Sequence, residues 1–236
     1  MQFYDLHVHS TLSIGEDSAE EMAAMARRLG LSGIGIVRYY SEKMQPIPRI
    51  EGVEIISSVI IKAQTPEAVK KAVSSVRGRC DIVMVHGGDY GINRTACENP
   101  MVDVLCHPEL GRRDSGLDHV CAKAAKENGV ALEINFREIL ESHKRSRSFV
   151  LSSMKKNVRL FSKYGAGIVV TSSAVTRWGM RAGRELASVA SLLGMELGKA
   201  IEAASSVPEG VVKLNREKLA GKRWEGVYVQ EGGADA

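Results

Sequence analysis

The chain reads as an α/β protein: a single TIM-like (β/α) barrel with about seven parallel strands and extra C-terminal helices. Three observations predict this. Short, continuously apolar stretches alternate with stretches of helical period. No break in composition and no flexible linker divides the 236 residues, a length near that of a closed barrel. Polar residues that interrupt the apolar stretches gather at the ends of predicted strands, where barrels build their sites. An open doubly wound sheet is the rival architecture, but no G-x-G-x-x-G follows any strand. One domain is expected over residues 1–225, with 226–236 a tail disordered at its end.

The first strand is Asp5-Leu6-His7-Val8-His9. Side chains alternate across a strand, so Asp5, His7 and His9 are expected on one face, with Leu6 and Val8 on the other. Ser18-Ala19-Glu20-Glu21 has the spacing of a capping box; Met22, Met25, Ala26 and Leu29 follow at helical intervals, and Gly30 stops the helix. Gly33 to Val37 forms the second strand, and Val59-Ile60-Ile61 marks a third within Arg49 to Lys62. Pro46 and Pro48 make the stretch between them a loop. Thr65-Pro66-Glu67 supplies an N-cap, a proline at the first helical position and an acid in the first turn, and Val69, Ala72, Val73 and Val76 form the buried face.

Asp81 to His86 is a strand ending in Gly87-Gly88, and Ile92 to Asn99 a short helix. Val102 to His107 is a strand, Ser115 to Asn128 a capped helix with Leu117, Val120, Cys121 and Ala124 inward, and Val130 to Phe136 a strand. A helical region from Arg137 to Tyr164 leads to a last strand at Gly167 to Thr171, and the remainder is mostly helix to about Leu219.

Composition narrows the class. Hydrophobic residues make up 44% but aromatics only 5%, so the core rests on Val, Ile, Leu, Met and Ala, as in helix-covered parallel sheets. Cys80, Cys97, Cys106 and Cys121 show no C-x-x-C spacing and are expected to be reduced core residues. No signal peptide opens the chain and no run approaches the roughly 20 apolar residues of a spanning helix, so a cytoplasmic protein without membrane contact is expected.

Asp5, His7 and His9 are metal-ligand types, suited to Zn, Mn or Fe. His7 and His9, Glu54, His86, His107, Glu133 with Asn135, and Ser172 with Ser173 are all expected in or at the C-terminal ends of strands, the site-bearing end of a barrel. For Asp5, His7 and His9 the alternative is a satisfied polar layer inside the barrel mouth, with the imidazoles hydrogen-bonded to Glu54 or to one another.

Asp5-x-His7-x-His9, Glu54, His107-Pro108 and Thr171-Ser172-Ser173-Ala174-Val175 resemble the PHP (polymerase and histidinol phosphatase) superfamily, whose resemblance implies a distorted barrel holding a metal cluster that hydrolyses phosphate esters. The match has gaps. Where that superfamily carries T-D-H after the second strand, this chain has Val37-Arg38-Tyr39. Where it carries S-D-A-H, this chain has Ser172-Ser173-Ala174-Val175. Arg38 is expected to add positive charge to the same pocket, weakening cation binding further.

This pattern of departures is similar to the ribonuclease P protein component 3 family of archaea. The resemblance is carried by His86-Gly87-Gly88-Asp89 leading to Ile92-Asn93-Arg94, by Val102-Asp103-Val104-Leu105-Cys106-His107-Pro108, by the run from Gly111 to Val120, by Val130 to Asn135 and by Val169 to Ala174. It implies a non-catalytic subunit of a ribonucleoprotein that matures the 5′ end of tRNA. Its partners would be the ribonuclease P RNA, protein component 2 and the other protein subunits, with precursor tRNA met indirectly. No catalytic residue and no cofactor is then expected, although Asp5, His7, His9, Glu54 and His107 remain as a vestigial metal site that could keep one Zn or Mn ion. A metal-dependent phosphoesterase with a reduced ligand set is the rival function.

Charge placement bears on the RNA. Between Arg137 and Lys163 there are eight basic residues against two acidic ones, a local +6 that exceeds the net +4 of the whole chain, so the basic surface is polarised. Such a patch neutralises phosphates, and its bland alternative is a solvated helix face. The RNA-binding candidates are Arg147, Lys155, Lys156 and Arg159 here, with Arg94, Arg112 and Arg113 in loops after strands and Arg177 and Arg181 after the last strand. For Arg94, Arg112 and Arg113 the alternative is an ion pair with Asp89, Asp103 or Asp114. Base stacking is not indicated, because Tyr39, Tyr40, Tyr90 and Trp178 are scattered.

Overall fold

The computed structural model describes residues 1–41 and 43–221; the expected tail, 226–236, lies outside them. Among the described residues, seven strands form one sheet in chain order, every neighbouring pair parallel. They are β1 (Tyr4–His9), β2 (Gly33–Tyr39), β3 (Glu54–Ile61), β4 (Ile82–His86), β5 (Val104–Cys106), β6 (Ala131–Asn135) and β7 (Ile168–Thr171). The helices are α1 (Ala19–Arg28), α2 (Pro66–Val76), α3 (Tyr90–Cys97), α4 (His119–Asn128), α5 (Phe136–Glu141), α6 (Lys144–Tyr164), α7 (Gly183–Leu192), α8 (Leu197–Ala203) and α9 (Ser206–Leu219). The ring closes just past β7, where the His9 amide donates to the Ala174 carbonyl at 2.8 Å.

The inner face carries Tyr4, Leu6, Val37, Ile56, Ile60, Ile82, Met84, Val104, Cys106, Ala131 and Val169. The period-2 alternation within each strand sends the neighbours of these residues outward, Val83, Val85 and Leu105 among them, against the helical layer. At the N-terminal end of the strands α9 acts as a plug. Its Val212 joins the inner core, and Asn215 donates to the Asp81 carbonyl at 2.8 Å and to Asp103 at 2.9 Å.

β1 departs from simple alternation. Its register with β2 runs Asp5 to Ile34 and then Val8 to Ile36, so three steps on β1 match two on β2. This bulge resets the faces. Tyr4 and Leu6 point inward before it, and Val8 points outward against α1 after it. Gly35 sits opposite, and a Cβ there would lie 2.1 Å from the Leu6 carbonyl oxygen, so only glycine admits this approach.

Two expected helices are trimmed. The one placed over Ser115 to Asn128 starts at His119, because Gly116 adopts φ 72° and Asp118 takes the N-cap, accepting from the Val120 and Cys121 amides. The region from Arg137 to Tyr164 breaks into α5 and α6 at Ser142 and His143, with Lys144 at φ 47°. All four cysteines are free and buried. Among the described residues, no helix is long and apolar enough to cross a membrane.

Candidate functional site

The bulge turns His7 and His9 together into the barrel mouth, where their Nε2 atoms lie 3.1 Å apart. Each has a second partner: His7 Nδ1 donates to Glu133 Oε1 at 2.6 Å, and His9 Nδ1 lies 2.9 Å from the Ser13 hydroxyl. With Glu133 as acceptor, His7 carries a proton on Nδ1, and a single proton is shared between the two facing Nε2 atoms. Glu133 also accepts from Thr171 Oγ1 at 2.7 Å and Asn135 Nδ2 at 3.1 Å. Burial would push its carboxyl up, but the His7 ring, the charge of His107 and the Thr171 hydroxyl hold it at about 2. Burial and the neighbouring His7 keep the His9 ring neutral, lowered to about 2.

His107 follows β5 in the left-handed region at φ 54°, and Ser173 follows β7 at φ 50°. Such backbone costs on the order of 1 kcal/mol for a side-chain-bearing residue, and here it is held at the ends of two strands that border the mouth. It turns His107 toward His7, with ring centroids 5.6 Å apart, and brings Ser173 Oγ within 3.3 Å of His7 Nε2. His107 Nδ1 donates to Glu138 at the start of α5. Burial alone would lower the His107 pKa, but its bond to Glu138 and the charge of Glu133 raise it. Beside it burial, reinforced by the Glu138 charge, pushes Glu109 up to about 8.

Three expectations are corrected. Asp5 does not share a face with His7 and His9, because the bulge intervenes; its carboxylate accepts from the Ser172 and His7 amides, and burial raises it to about 7. Glu54 opens β3 at the N-terminal end of the barrel, not the mouth, where it pairs with Arg216 of α9 beside Asp81. Arg38 does not enter the pocket. Its guanidinium donates outward to the Gln45 carbonyl and the Ser57 hydroxyl, both at 2.6 Å, while Tyr39 faces the mouth and stacks on His9. The carboxylate that meets the histidines is Glu133, whose place on a strand end was legible but whose pairing was not.

A multinuclear metal cluster does not fit these residues: Arg38 and Ser173 stand where further acids would be needed, and Tyr39 and Val175 where further imidazoles would be. Among the described residues, one trio, His7, His107 and Glu133, brings three ligand-type atoms within 4.8 Å of one another. All three side chains already hydrogen-bond inside the protein, which is how a satisfied buried polar layer looks.

Other polar residues of the sequence motifs act as clamps. Asn93 Nδ2 donates to the Pro108 and Gly116 carbonyls at 3.0 and 2.8 Å, and its Oδ1 accepts from the Gly88 amide at 3.1 Å. This wholly buried side chain fixes the loop that follows β5 against the Gly87-Gly88 turn. Asp89 caps α3, and Asp103 accepts from Arg77 and the Val83 amide.

The basic candidates divide by what holds them. Lys155, Lys156 and Arg159 are exposed on α6, whose opposite side buries Met154, Asn157, Val158 and Phe161. Arg113 is exposed in the loop after β5, whereas Arg112 is gripped by Asp114 and the Gly88 carbonyl. Arg94 pairs with Glu98, one turn on, rather than with the acids expected. Arg147 closes the C-terminal end of α5 by donating to the Ser142 and Leu140 carbonyls. Arg177 pairs with Glu21 and Asp17, and Arg181 donates to the Trp178 and Met180 carbonyls over the Phe136 ring.

Fold and site together define a seven-stranded parallel (β/α) barrel with a buried layer of histidines and a carboxylate at its mouth. A fold likeness agrees: the histidinol phosphate phosphatase of Lactococcus lactis superposes with a TM-score of 0.50 at 11% identity, over 91% of this chain and 94% of that one. The family profile described as RNase P subunit p30 matches residues 2–220, and the chain belongs to that family. Ribonuclease P protein component 3 of Methanosarcina mazei is 37% identical over 98% of this chain and 97% of its own length. That of Methanothermobacter thermautotrophicus is 31% identical, over 90% and 89%. In fold, the chain is similar to one in the cryo-EM structure of archaeal ribonuclease P with mature tRNA, with a TM-score of 0.79 at 24% identity, over 98% of this chain and 100% of that one.

Proposed function

We infer that the chain is a protein subunit of ribonuclease P, the role its family carries, and that it takes no part in the bond-breaking step itself. The observation that carries this reading is the family match across residues 2–220. Within that role the exposed face of α6, with Lys155, Lys156 and Arg159, together with Arg113, forms the surface that meets the ribonuclease P RNA. Solvated cations clear of acidic partners are what phosphate neutralisation requires. Precursor tRNA is met through the assembled particle. Protein component 2 is the protein partner, and the archaeal cytoplasm the compartment. The histidine layer serves as internal structure, without a cofactor.

Reconstitution tests the reading. Precursor tRNA is incubated with ribonuclease P RNA and the other protein subunits, with and without this chain. Omission is expected to lower 5′ maturation, above all at low Mg²⁺, where proteins substitute for counterions. Equal cleavage in both mixtures at every Mg²⁺ concentration overturns it.

A further inference from the structure

Beside the barrel mouth lies a groove of about 670 Å³ between the loop after β5 and the first turns of α6. Its two ends differ in chemistry. Its floor is acidic: Glu109 and Glu138 both line it, and the Glu138 side chain is only 9% exposed. One Glu138 oxygen accepts the hydrogen bond from His107 Nδ1, while the other, Oε2, is buried without a hydrogen-bond partner among the described residues. A buried carboxylate oxygen left unpaired is costly, and it marks a place for a donor. The rim is basic and apolar: Arg113, Arg145, Leu110 and Phe149, with Phe149 52% exposed and the Arg145 guanidinium 5.6 Å from its ring centre. Glu109 is held from behind by Asn157.

The geometry points to this groove as a pocket for a single unpaired, amino-bearing nucleotide of RNA. The base would stack on Phe149 and offer its exocyclic N–H to Glu138 Oε2, and its phosphate would meet Arg113 and Arg145. Each part of the ligand answers one part of the site. A flat apolar face suits the exposed ring, and stacking of this kind is tolerant of sequence. A donor suits the unpaired carboxylate oxygen. An anion suits the two guanidiniums, which would repel a lysine or arginine side chain entering from a protein partner. Adenine, cytosine and guanine each carry an amino group. Uracil does not, and its single N–H is flanked by two carbonyl oxygens that the Glu138 carboxylate disfavours. The pocket therefore discriminates among bases, which α6 alone cannot do, since phosphate contacts carry no sequence information.

This inference rests on the RNA-binding reading above, and the test separates the two. The full-length chain is titrated with fluorescent A, C and U hexamers at fixed salt, alongside Phe149→Ala, Glu138→Gln and a triple neutralisation of Lys155, Lys156 and Arg159. The A and C hexamers are expected to bind about fivefold or more tighter than U. Phe149→Ala should remove about tenfold from A and C. Glu138→Gln, which keeps an acceptor for His107 and turns an NH₂ group into the pocket, should raise U toward the others. The triple variant should weaken all three alike. Equal binding of the three hexamers, indifferent to Phe149→Ala but lowered by the triple variant, overturns the pocket and leaves the RNA reading standing. Failure of every hexamer and of ribonuclease P RNA to bind removes both. If Phe149→Ala weakens capture of protein component 2 while RNA binding is unmoved, the groove is a protein site and the inference falls. Phe149 is half exposed, so its loss leaves the core intact.

Discussion

His7 Nδ1 lies 2.6 Å from Glu133 Oε1, with both side chains wholly shielded from solvent, and this pair ties β1 to β6 across the barrel mouth. Removing one partner strands the other, together with the Thr171 and Asn135 donors that converge on the same carboxylate. Glu133→Ala should lower stability by about 3–5 kcal/mol. Glu133→Gln keeps an acceptor and should lose less than half of that. Urea unfolding measures both, and an alanine variant within about 0.5 kcal/mol of the parent would show that the layer contributes nothing.

Asn93 is the second structural test. It joins the Gly88 amide to the Pro108 and Gly116 carbonyls. Asn93→Ala leaves two buried carbonyls and the partly buried Gly88 amide without that partner and should lower stability by about 2–4 kcal/mol. Amide hydrogen exchange should quicken first in residues 107–118, ahead of the strands. Uniform loss of protection would place the clamp elsewhere.

Metal content decides what the mouth is for. Elemental analysis of the purified chain for Zn, Mn and Fe should find well under one ion per molecule, and a phosphatase assay no activity that depends on His9. Stoichiometric metal, with phosphoester hydrolysis that disappears in His9→Ala, would reinstate a hydrolase with His7, His107 and Glu133 as ligands.

The α6 surface predicts a salt dependence. Neutralising Lys155, Lys156 and Arg159 should flatten the plot of log affinity for ribonuclease P RNA against log salt by about 2, near 0.7 for each single-stranded phosphate that a side chain no longer neutralises. An unchanged slope removes this helix face from the RNA interface.

Acid stability should respond to Asp118. Burial tends to raise its pKa, but the Cys121 and Val120 amides and the Tyr90 hydroxyl, 2.7 Å away, outweigh burial and hold it at about 2. The folded value lies below the roughly 3.9 of an unfolded aspartate. The cap's contribution is therefore complete above about pH 4 and lost as pH falls toward 2. Asp118→Asn should flatten the stability profile across that window. A profile of the same shape in both proteins would discount the cap.

Much of this molecule is local in origin. Seven apolar stretches alternating with helical ones predicted the barrel, because burial on both faces of a parallel strand leaves a continuous apolar run. Ser18, Thr65 and Gly30 marked helix ends through capping chemistry that involves only their neighbours. The strand ends bearing His7, His9, His107 and Glu133 were likewise visible, as polar residues breaking apolar runs.

What the linear order could not carry was partnership. One bulge in β1 separates Asp5 from the two histidines, and alternation by itself predicts the opposite. Arg38, expected in the pocket, lies in the outer layer while Tyr39 reaches His9, since a one-residue choice of face decides which of the two points inward. Glu54 lies at the opposite end of the barrel from the histidines, and Glu133, 126 positions from His7, takes its place. The groove beneath Phe149 joins a loop after β5 to a helix after β6, so its unpaired carboxylate and exposed ring meet only once the barrel has closed. Periodicity, caps and apolar runs depend on residues within a turn or two of one another, and the sequence alone determined them. Register and cross-barrel contacts depend on how every strand packs at once, and only the tertiary structure decided those.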